Sequence, residues 1–213
     1  DIGIFPIKYL GMPVSYTTLR NSDWEFIVCK YLKRFEAWVG NAASMGGRHT
    51  LLDSVVTQLS LYHMSMWLMN KTFIEKLDKH RRRFFWQSCN KKRYYLVKWS
   101  RICRSKEKGG LGIKDLHKQN ISLMVKWWWK LETQSGVWQD IIHARYLRNK
   151  TVADVAPRFS DSPSWKALLK VKEIYMAGVK VITESGNIAR VWSDPINGLL
   201  PFKDQYLQLV NIC

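Results

Sequence analysis

Residues that could carry out catalysis are few and scattered along this 213-residue sequence. None of the 5 histidines stands in an H-E-x-x-H pattern, and no two aspartates are spaced D-D or D-x-D to hold a pair of catalytic metal ions. No serine lies between the glycines of a nucleophile elbow, although a Ser-His-Asp triad needs no sequence adjacency and so stays open. The sequence therefore predicts a chain without catalytic residues, metal or cofactor of its own.

Cysteine spacing gives no metal or disulfide pattern either. The four cysteines lie far apart without a C-x-x-C pair: Cys29, Cys89, Cys103 and Cys213. The nearest zinc candidates are Cys89, Cys103 and His117, and their spacings match no familiar site. A chain with 46% hydrophobic residues can fill a core without disulfides. We therefore expect reduced thiols in an intracellular protein.

Basic residues are concentrated in one block of the chain. Residues 71–130 hold 18 basic and 4 acidic side chains, which is a net +14 of the total +17. So few compensating acids favour a polyanionic partner, although a solvated helix face is the usual meaning of a charge run. No run approaches the roughly 18 apolar residues of a membrane span. Nucleic acid is the predicted partner, ahead of attachment to an anionic membrane.

Helical spacing sorts the basic residues of segment 71–86. At about 100° per residue, Lys79 and Arg82 lie on one face, and Lys76 and Arg83 share another more loosely. Arg81 falls on the apolar side, where we expect its stem to be covered and its charge to reach water. The predicted phosphate contacts, including those named below from family resemblance, are Lys8, Arg48, Lys76, Lys79, Arg82, Arg83, Lys91, Lys92, Arg93, Lys98, Lys106 and Lys108.

Aromatic residues alternate with the basic ones, as they do in proteins that stack unpaired bases. The predicted stacking residues are Trp86, Trp99 and Trp128, although packing is the commoner role of any single aromatic. Residues 127–129 are three consecutive tryptophans, which point in different directions on a helix, so we expect two to pack and one to be exposed. The glycine-rich loop 109–112 lacks a Walker pattern, which favours a tight turn over a phosphate cradle.

Periodicity predicts a mainly α fold. Apolar residues recur three and four apart after Ser22 and Asp23 and again in segments 51–59 and 71–86, and Asp115 precedes a fourth such run. Small β elements are expected near the N-terminus, around 94–99 and near 179–192. The chain starts without Met and in the middle of a pattern, so it reads as a piece of a longer protein.

Short motifs in a fixed order resemble plant LINE-type (non-LTR) retrotransposon reverse transcriptases, in the region that follows the palm. The resemblance covers nearly the whole chain and is weakest after residue 150. The motifs are Lys8-Tyr9-Leu10-Gly11-Met12-Pro13, Trp38 with Gly46-Gly47-Arg48 and Thr50-Leu51, Tyr62-His63-Met64-Ser65, Arg83-Phe84-Phe85-Trp86, Val97-Lys98-Trp99 with Cys103, Gly109-Gly110-Leu111-Gly112-Ile113, and Lys126-Trp127-Trp128-Trp129-Lys130-Leu131.

That resemblance implies a layout and a role. Residues 1–15 would end the palm with its primer-grip segment, 16–90 would form a helical thumb, 91–150 a connector, and 151–213 a linker toward a zinc-binding region. Lys8 would lie in the primer grip and Arg48 would be a backbone contact. The partners would be the RNA/DNA template–primer duplex and the rest of the polyprotein, in the nucleus. Mg²⁺ would belong to the palm, whose F/Y-x-D-D loop this sequence lacks. Plant members of the family sometimes also carry a ribonuclease H domain.

A second interpretation stays open. The chain would then be a truncated transposon remnant that acts at most as a structural or interaction module. Asn41 and Phe5 to Ile7 depart from the family pattern, which is what a decaying copy would show.

Overall fold

The computed structural model describes residues 5–39, 44–86, 95–148 and 150–179, and within them the fold is mainly α, as predicted. Two compact units divide the chain, Asp1–Lys126 with Ser162–Ala167, and Trp127–Asp161 with Leu168–Cys213. The elements are β1 Ile7–Tyr9, β2 Met12–Val14, a 3-10 turn Asn21–Trp24, α1 Glu25–Val39, α2 Met45–Leu51, a π turn Leu52–Val56, α3 Thr57–Met66, α4 Lys71–Phe85, α5 Trp99–Ile102, a 3-10 turn Lys106–Lys108, α6 Leu116–Thr133, α7 Val137–Ile142, a π turn His143–Leu147, α8 Pro163–Leu169 and α9 Lys172–Gly178.

The core of the first unit follows from the apolar faces of α1 and α4. Ile27 and Tyr31 of α1 and Leu77 of α4 are fully buried in one cluster. Phe35 stacks on Phe84 with ring centres 4.7 Å apart, which joins the last turns of the two helices. Burying a large apolar side chain contributes about 1.5–3 kcal/mol, so this face stabilises α4 while its polar side stays outside.

The N-terminal segment forms the small β element that was expected there. β1 and β2 pair antiparallel, and the two residues between them, Leu10 and Gly11, both have positive φ, 47° and 82°. Two positive φ values define the tight hairpin turn that matches strand twist. Tyr62 donates to the Leu10 carbonyl at 3.2 Å, and a ring nitrogen of His63 lies 3.3 Å from the Gly11 carbonyl. Tyr62 and His63, which are neighbours on α3, therefore stabilise this turn.

One continuous helical stretch contains α2, the first π turn and α3. A π turn inserts an extra residue and alters the backbone hydrogen bonds around it. The Thr57 hydroxyl donates to the Leu52 carbonyl at 2.8 Å, which satisfies one such group. Further along α3, the buried hydroxyl of Tyr31 donates to Ser60 at 2.9 Å, and burial raises the pKa of Tyr31.

Asn120 of α6 binds the end of α3 with a fully buried side chain. Its amide nitrogen donates to the carbonyls of Met64 and Trp67 at 2.7 and 2.8 Å, and its oxygen accepts from the Met69 amide at 2.8 Å. The last carbonyls of a helix have no partner within the helix. Asn120 therefore replaces water at a helix end that the core covers.

The second predicted β element is wrong. Residues 95–98 are irregular and exposed, and α5 begins at Trp99. Aromatic and β-branched residues favour strands, but that preference depends on a neighbouring strand, and none pairs with 95–98 in the part of the chain that the structure describes. The third predicted element, near 179–192, lies outside the described residues except for Val179.

In the second unit, Trp128 organises the packing of α6 and α9. Its ring stacks on Tyr175 with centres 6.5 Å apart, and its indole nitrogen donates to the Leu168 carbonyl at 3.0 Å. Tyr175 donates to Glu132, and burial together with that carboxylate raises the pKa of Tyr175. No helix among the described residues has the length and apolarity to cross a membrane.

Replacing the amide of Asn120 should destabilise the first unit strongly. We predict that Asn120→Ala lowers the free energy of unfolding by about 3 kcal/mol, because it leaves two carbonyls and one amide of the chain buried without partners. Urea denaturation measures this change. Ser122→Ala, at an exposed position two residues along the same helix, is the control and should change it by less than about 0.5 kcal/mol. Equal effects of the two substitutions would contradict this role.

Buried His63 should make stability depend on pH. Burial is the main cause that lowers the pKa of His63 from its ordinary 6.5. The unfolded chain then binds more protons than the folded chain between that lowered pKa and 6.5, so the free energy of unfolding falls as pH decreases through this window. His63→Gln should weaken this dependence, measured by denaturation at a series of pH values. At about pH 8 imidazole is neutral in both the folded and the unfolded state. The difference in the free energy of unfolding between the two proteins at that pH is therefore the baseline for the comparison. Identical pH dependence would contradict the assignment.

Candidate nucleic-acid interface

The structure divides the charged residues of α4 into two stripes. Lys79 and Arg82 line a groove beside the helix, together with Lys71 about two turns before Lys79. Lys76 and Arg83 are exposed on another side, where Lys76 pairs with Glu25 of α1. Positions 79 and 82, three apart, therefore share a face as predicted, and the other pair does not contribute to the groove.

The groove has a volume of about 870 Å³ and belongs to the first unit. It runs between the polar side of α4 and the segment that leads into α5. Its lining residues are Lys71, Ile74, Glu75, Asp78, Lys79, Arg82, Trp86, Tyr95, Val97, Lys98, Trp99, Ser100, Cys103, Asp115 and His117. Five of the fifteen predicted binding and stacking residues meet here: Lys79, Arg82, Trp86, Lys98 and Trp99.

Arg81 supports the wall of this groove from inside the core. Its side chain has 0% exposure and pairs with Asp78 at 2.7 Å. The same guanidinium donates to Thr57 Oγ1 at 3.3 Å and to the Lys114 carbonyl at 3.0 Å, and it lies 5.5 Å from the centre of the Trp99 ring. The expectation that Arg81 reaches water was wrong, because an internal carboxylate replaces solvent.

Two tryptophans line the groove with their positions fixed by core contacts. Trp86 packs edge-on against Phe85 at 5.1 Å, and Trp99 approaches Phe85 at 6.2 Å and Arg81 from the core side. Both are half-buried. Side chains held in this way lose little conformational entropy when a ligand stacks on them.

The assignment of Trp128 as a stacking residue is wrong. Its side chain is 1% exposed, because it fills the space between α6 and Tyr175 in the second unit. Trp127, half-buried, packs against Trp138, whereas Trp129 is 56% exposed. One exposed member of the three was expected, but the helical spacing alone could not tell which one faces water.

Burial shifts the pKa of two groove residues, Asp78 and Cys103. It raises the pKa of Asp78, and the ion pair with Arg81 acts in the opposite direction. It also raises the pKa of the Cys103 thiol to about 11, so this thiol is a neutral, weakly nucleophilic group at pH 7. On the other stripe, burial and then the charge of Lys76 lower the pKa of His80.

The glycine-rich loop is a structural turn, as favoured from sequence. Its amides are used internally: Gly109 donates to Lys106, Gly110 to Ser105, Leu111 to Ile102 and Gly112 to Arg104. A Cβ on Gly110 would lie 2.1 Å from the Arg104 carbonyl oxygen, so only glycine fits there. Amides bonded in this way are not directed at a phosphate.

The remaining predicted phosphate contacts lie outside the groove lining. Lys8 lies over the ring of Phe26, 5.0 Å from its centre, and Arg48 is half-buried on α2. Lys106 and Lys108 are exposed on the 3-10 turn that precedes the glycines. Lys91, Lys92 and Arg93 fall outside the described residues.

The sequence reasoning missed the acidic part of the site. Glu75, Asp78 and Asp115 line the groove among the lysines, as do Lys71 and His117. Positions 71, 75, 78, 79, 82 and 86 form one helical stripe, which was a signal available in the sequence. Among the described residues, no three His, Cys, Asp or Glu side chains cluster as metal ligands, and Cys29 and Cys103 are free thiols.

Two plant proteins are similar to this chain. Over 189 residues it is 28% identical to an Arabidopsis thaliana protein named "Putative ribonuclease H protein", a match that covers 86% of this chain and 30% of that protein. Over 139 residues it is 28% identical to an uncharacterized mitochondrial protein of Arabidopsis thaliana, covering 64% of this chain and 90% of that protein. The chain thus spans less than a third of the first relative. No protein-family model and no solved structure matches it.

The stability of the first unit should depend on the ion pair between Arg81 and Asp78. We predict that Arg81→Met lowers the free energy of unfolding by about 3 kcal/mol at neutral pH, because Asp78 would remain buried and unpaired. The deficit should shrink as pH falls, since the pKa of Asp78, already raised by burial, would rise further without Arg81.

Urea denaturation at several pH values measures both effects. Arg83→Met, at the exposed position two residues along α4, is the control and should change stability by less than about 0.5 kcal/mol. Adding Asp78→Asn to Arg81→Met should recover part of the loss at neutral pH. A loss that is the same at every pH, or no recovery in the double variant, would contradict the ion-pair account.

Proposed function

We propose that this chain binds nucleic acid through the groove between α4 and α5, as the thumb and connector of a plant LINE-type reverse transcriptase. The observation that carries the proposal is the meeting of Lys79, Arg82 and Lys98 with Trp86 and Trp99 in one groove. Basic side chains neutralise phosphates, and aromatic rings accept bases, so the two residue types together suit a nucleic-acid strand better than either alone.

The mechanism we propose is positioning. The cationic side chains of Lys79 and Lys98, exposed at the groove, contact phosphates and set the register of a template–primer duplex or of a strand leaving it. No covalent step is assigned to this chain. The polymerising metal ions and their carboxylate ligands would come from a palm in the same polyprotein, and a nuclear location would follow from such a role.

The relatives support a retroelement origin at a coarser level. One of them carries a name that includes ribonuclease H, and plant members of the resembled family sometimes carry such a domain. The motif order from Lys8 to Leu131 supports the finer assignment to the region after the palm. The whole polyprotein's activity, RNA-directed DNA synthesis, is part of the proposal.

A second candidate function is a remnant that has only a structural role. The observation in its favour is the second relative, since a match to 90% of its length means that such a segment occurs almost by itself. A measurement of nucleic-acid binding distinguishes the two candidate functions, because a remnant with only a structural role should not bind nucleic acid through the groove cations.

Neutralising the groove cations should weaken binding and its salt dependence. We predict that Lys79→Gln with Lys98→Gln reduces the slope of log affinity against log salt by about 2 for a short RNA–DNA hybrid, since each phosphate contact contributes about 0.9. Fluorescence anisotropy over a range of salt concentrations measures this slope. Affinity at low salt should fall about tenfold or more.

The matched control is Lys33→Gln with Arg34→Gln, which removes the same charge from exposed positions on α1. If both double variants lose affinity equally, net charge and not the groove determines binding. If the unaltered protein shows no salt-dependent binding at all, the remnant interpretation replaces the proposed function.

A further inference from the structure

The groove has a composition that phosphate binding alone does not explain. Three of its lining residues are acidic, Glu75, Asp78 and Asp115, and the two that are not paired with Arg81, Glu75 and Asp115, would repel a phosphodiester. Its apolar walls come from Ile74 and Val97, together with the two tryptophans. A surface that bound only the backbone would need neither carboxylates nor a large apolar area.

The charged groups of the groove lie at two depths. Lys71, Lys79, Lys98 and Glu75 are exposed, whereas Arg82 and Asp115 are half-buried and the Asp78 side chain is 17% exposed. Long lysine side chains keep their charges in water, so the three lysines surround the opening. A strand whose phosphates follow the lysines would direct its bases toward the aromatic and acidic interior.

The ligand that matches this interior is an unpaired base. The volume of about 870 Å³ lies in the range of small-molecule pockets, about 300–1,000 Å³. In a duplex the faces of the bases are covered by stacking, so a base reaches an aromatic wall only from a single strand or after it leaves the stack. Trp86 and Trp99, already held by core contacts, provide such a wall.

Carboxylates add a preference among bases. A carboxylate accepts hydrogen bonds from an exocyclic amino group, as aspartate and glutamate do from cytosine, whereas uracil and thymine have no such group. Asp78 is already paired with Arg81, which leaves Glu75 and Asp115 as the acceptors for a ligand. The Cys103 thiol, protonated at neutral pH, adds a further uncharged part of the wall.

We propose that the groove between α4 and α5 binds a single unpaired nucleobase that carries an exocyclic amino group, stacked against Trp86 or Trp99 with its amino group on Glu75 or Asp115. This proposal rests on the proposed function, because the backbone contacts that deliver the base are those of the groove lysines. It adds a preference for single-stranded or extruded nucleotides and for adenine, cytosine or guanine over uracil and thymine.

The test compares single strands of equal length and charge. Deoxycytidine, deoxythymidine and abasic oligonucleotides are titrated by fluorescence anisotropy, with quenching of tryptophan fluorescence as a second signal. We expect the cytidine strand to bind about tenfold more tightly than the abasic strand, because base stacking on an aromatic side chain is worth several-fold to more than a hundredfold. The thymidine strand should lie between them.

Glu75→Gln with Asp115→Asn tests the acceptors without removing the start of α6. Asp115 accepts the amides of His117 and Lys118 there at 3.0 and 3.2 Å, and asparagine caps a helix equally well. This double variant should weaken the preference for cytidine over thymidine, because an uncharged amide oxygen accepts a weaker hydrogen bond than a carboxylate and the amide nitrogen can donate to a thymine carbonyl. It should still bind the abasic strand at least as tightly. The control, Glu36→Gln with Asp140→Asn at exposed sites, should keep that preference.

The outcomes distinguish this inference from the proposed function. Equal affinity for cytidine and abasic strands, with a steep salt dependence, would overturn the base site and leave phosphate binding intact. A cytidine preference that is undiminished in the Glu75→Gln, Asp115→Asn variant would overturn the role of the two carboxylates. No binding of any strand at low salt would overturn both proposals.

Discussion

The buried guanidinium of Arg81 is the interaction on which the first unit and its groove depend. It joins four segments: its own helix through Asp78, the start of α3 through Thr57, the chain before α6 through the Lys114 carbonyl, and α5 through the Trp99 ring. A charge without water must be paired, so these contacts fix one arrangement of the segments. The groove wall is shaped by that same arrangement, because Asp78 and Trp99 both line it.

The basic residues of α4 therefore have two roles. Arg81 faces inward and connects structural segments, while its neighbour Arg82 and the preceding Lys79 line the groove. Lys76 and Arg83 lie on a third side of α4, where Lys76 pairs with Glu25 and so connects α4 to α1. A block that is strongly basic in sequence becomes, in three dimensions, a groove where exposed lysines surround the half-buried carboxylates of Asp78 and Asp115, with Glu75 exposed beside them. That distribution suits a strand with its backbone at the rim and a base inside.

Sequence patterns predicted what depends on local chemistry. Helical spacing identified the buried faces of α1 and α4, a small β element was expected near the N-terminus, and the closeness of Lys79 to Arg82 followed from a spacing of three. The wrong predictions concern residues whose contacts depend on segments far away in the sequence. Residues 95–98 have the composition of a strand but no strand beside them in the described part of the chain. Arg81 is covered by Thr57 and the Lys114 carbonyl from other segments, and Trp128 packs on Tyr175. Within the acidic lining, Glu75 and Asp78 share the helical stripe of Lys79 and could have been found from their spacing, whereas Asp115 lies 37 or more positions away from them.

Ultraviolet crosslinking of a bound single strand, followed by mass spectrometry of the crosslinked peptides, tests the central claim most directly. The claim is that the groove, and not the basic block as a whole, contacts nucleic acid. We predict crosslinks concentrated on the peptides that carry Trp86, Lys98 and Trp99, and their loss at high salt as phosphate contacts weaken. Crosslinks confined to the outer stripe of Lys76 and Arg83, or spread evenly over exposed lysines, would contradict it.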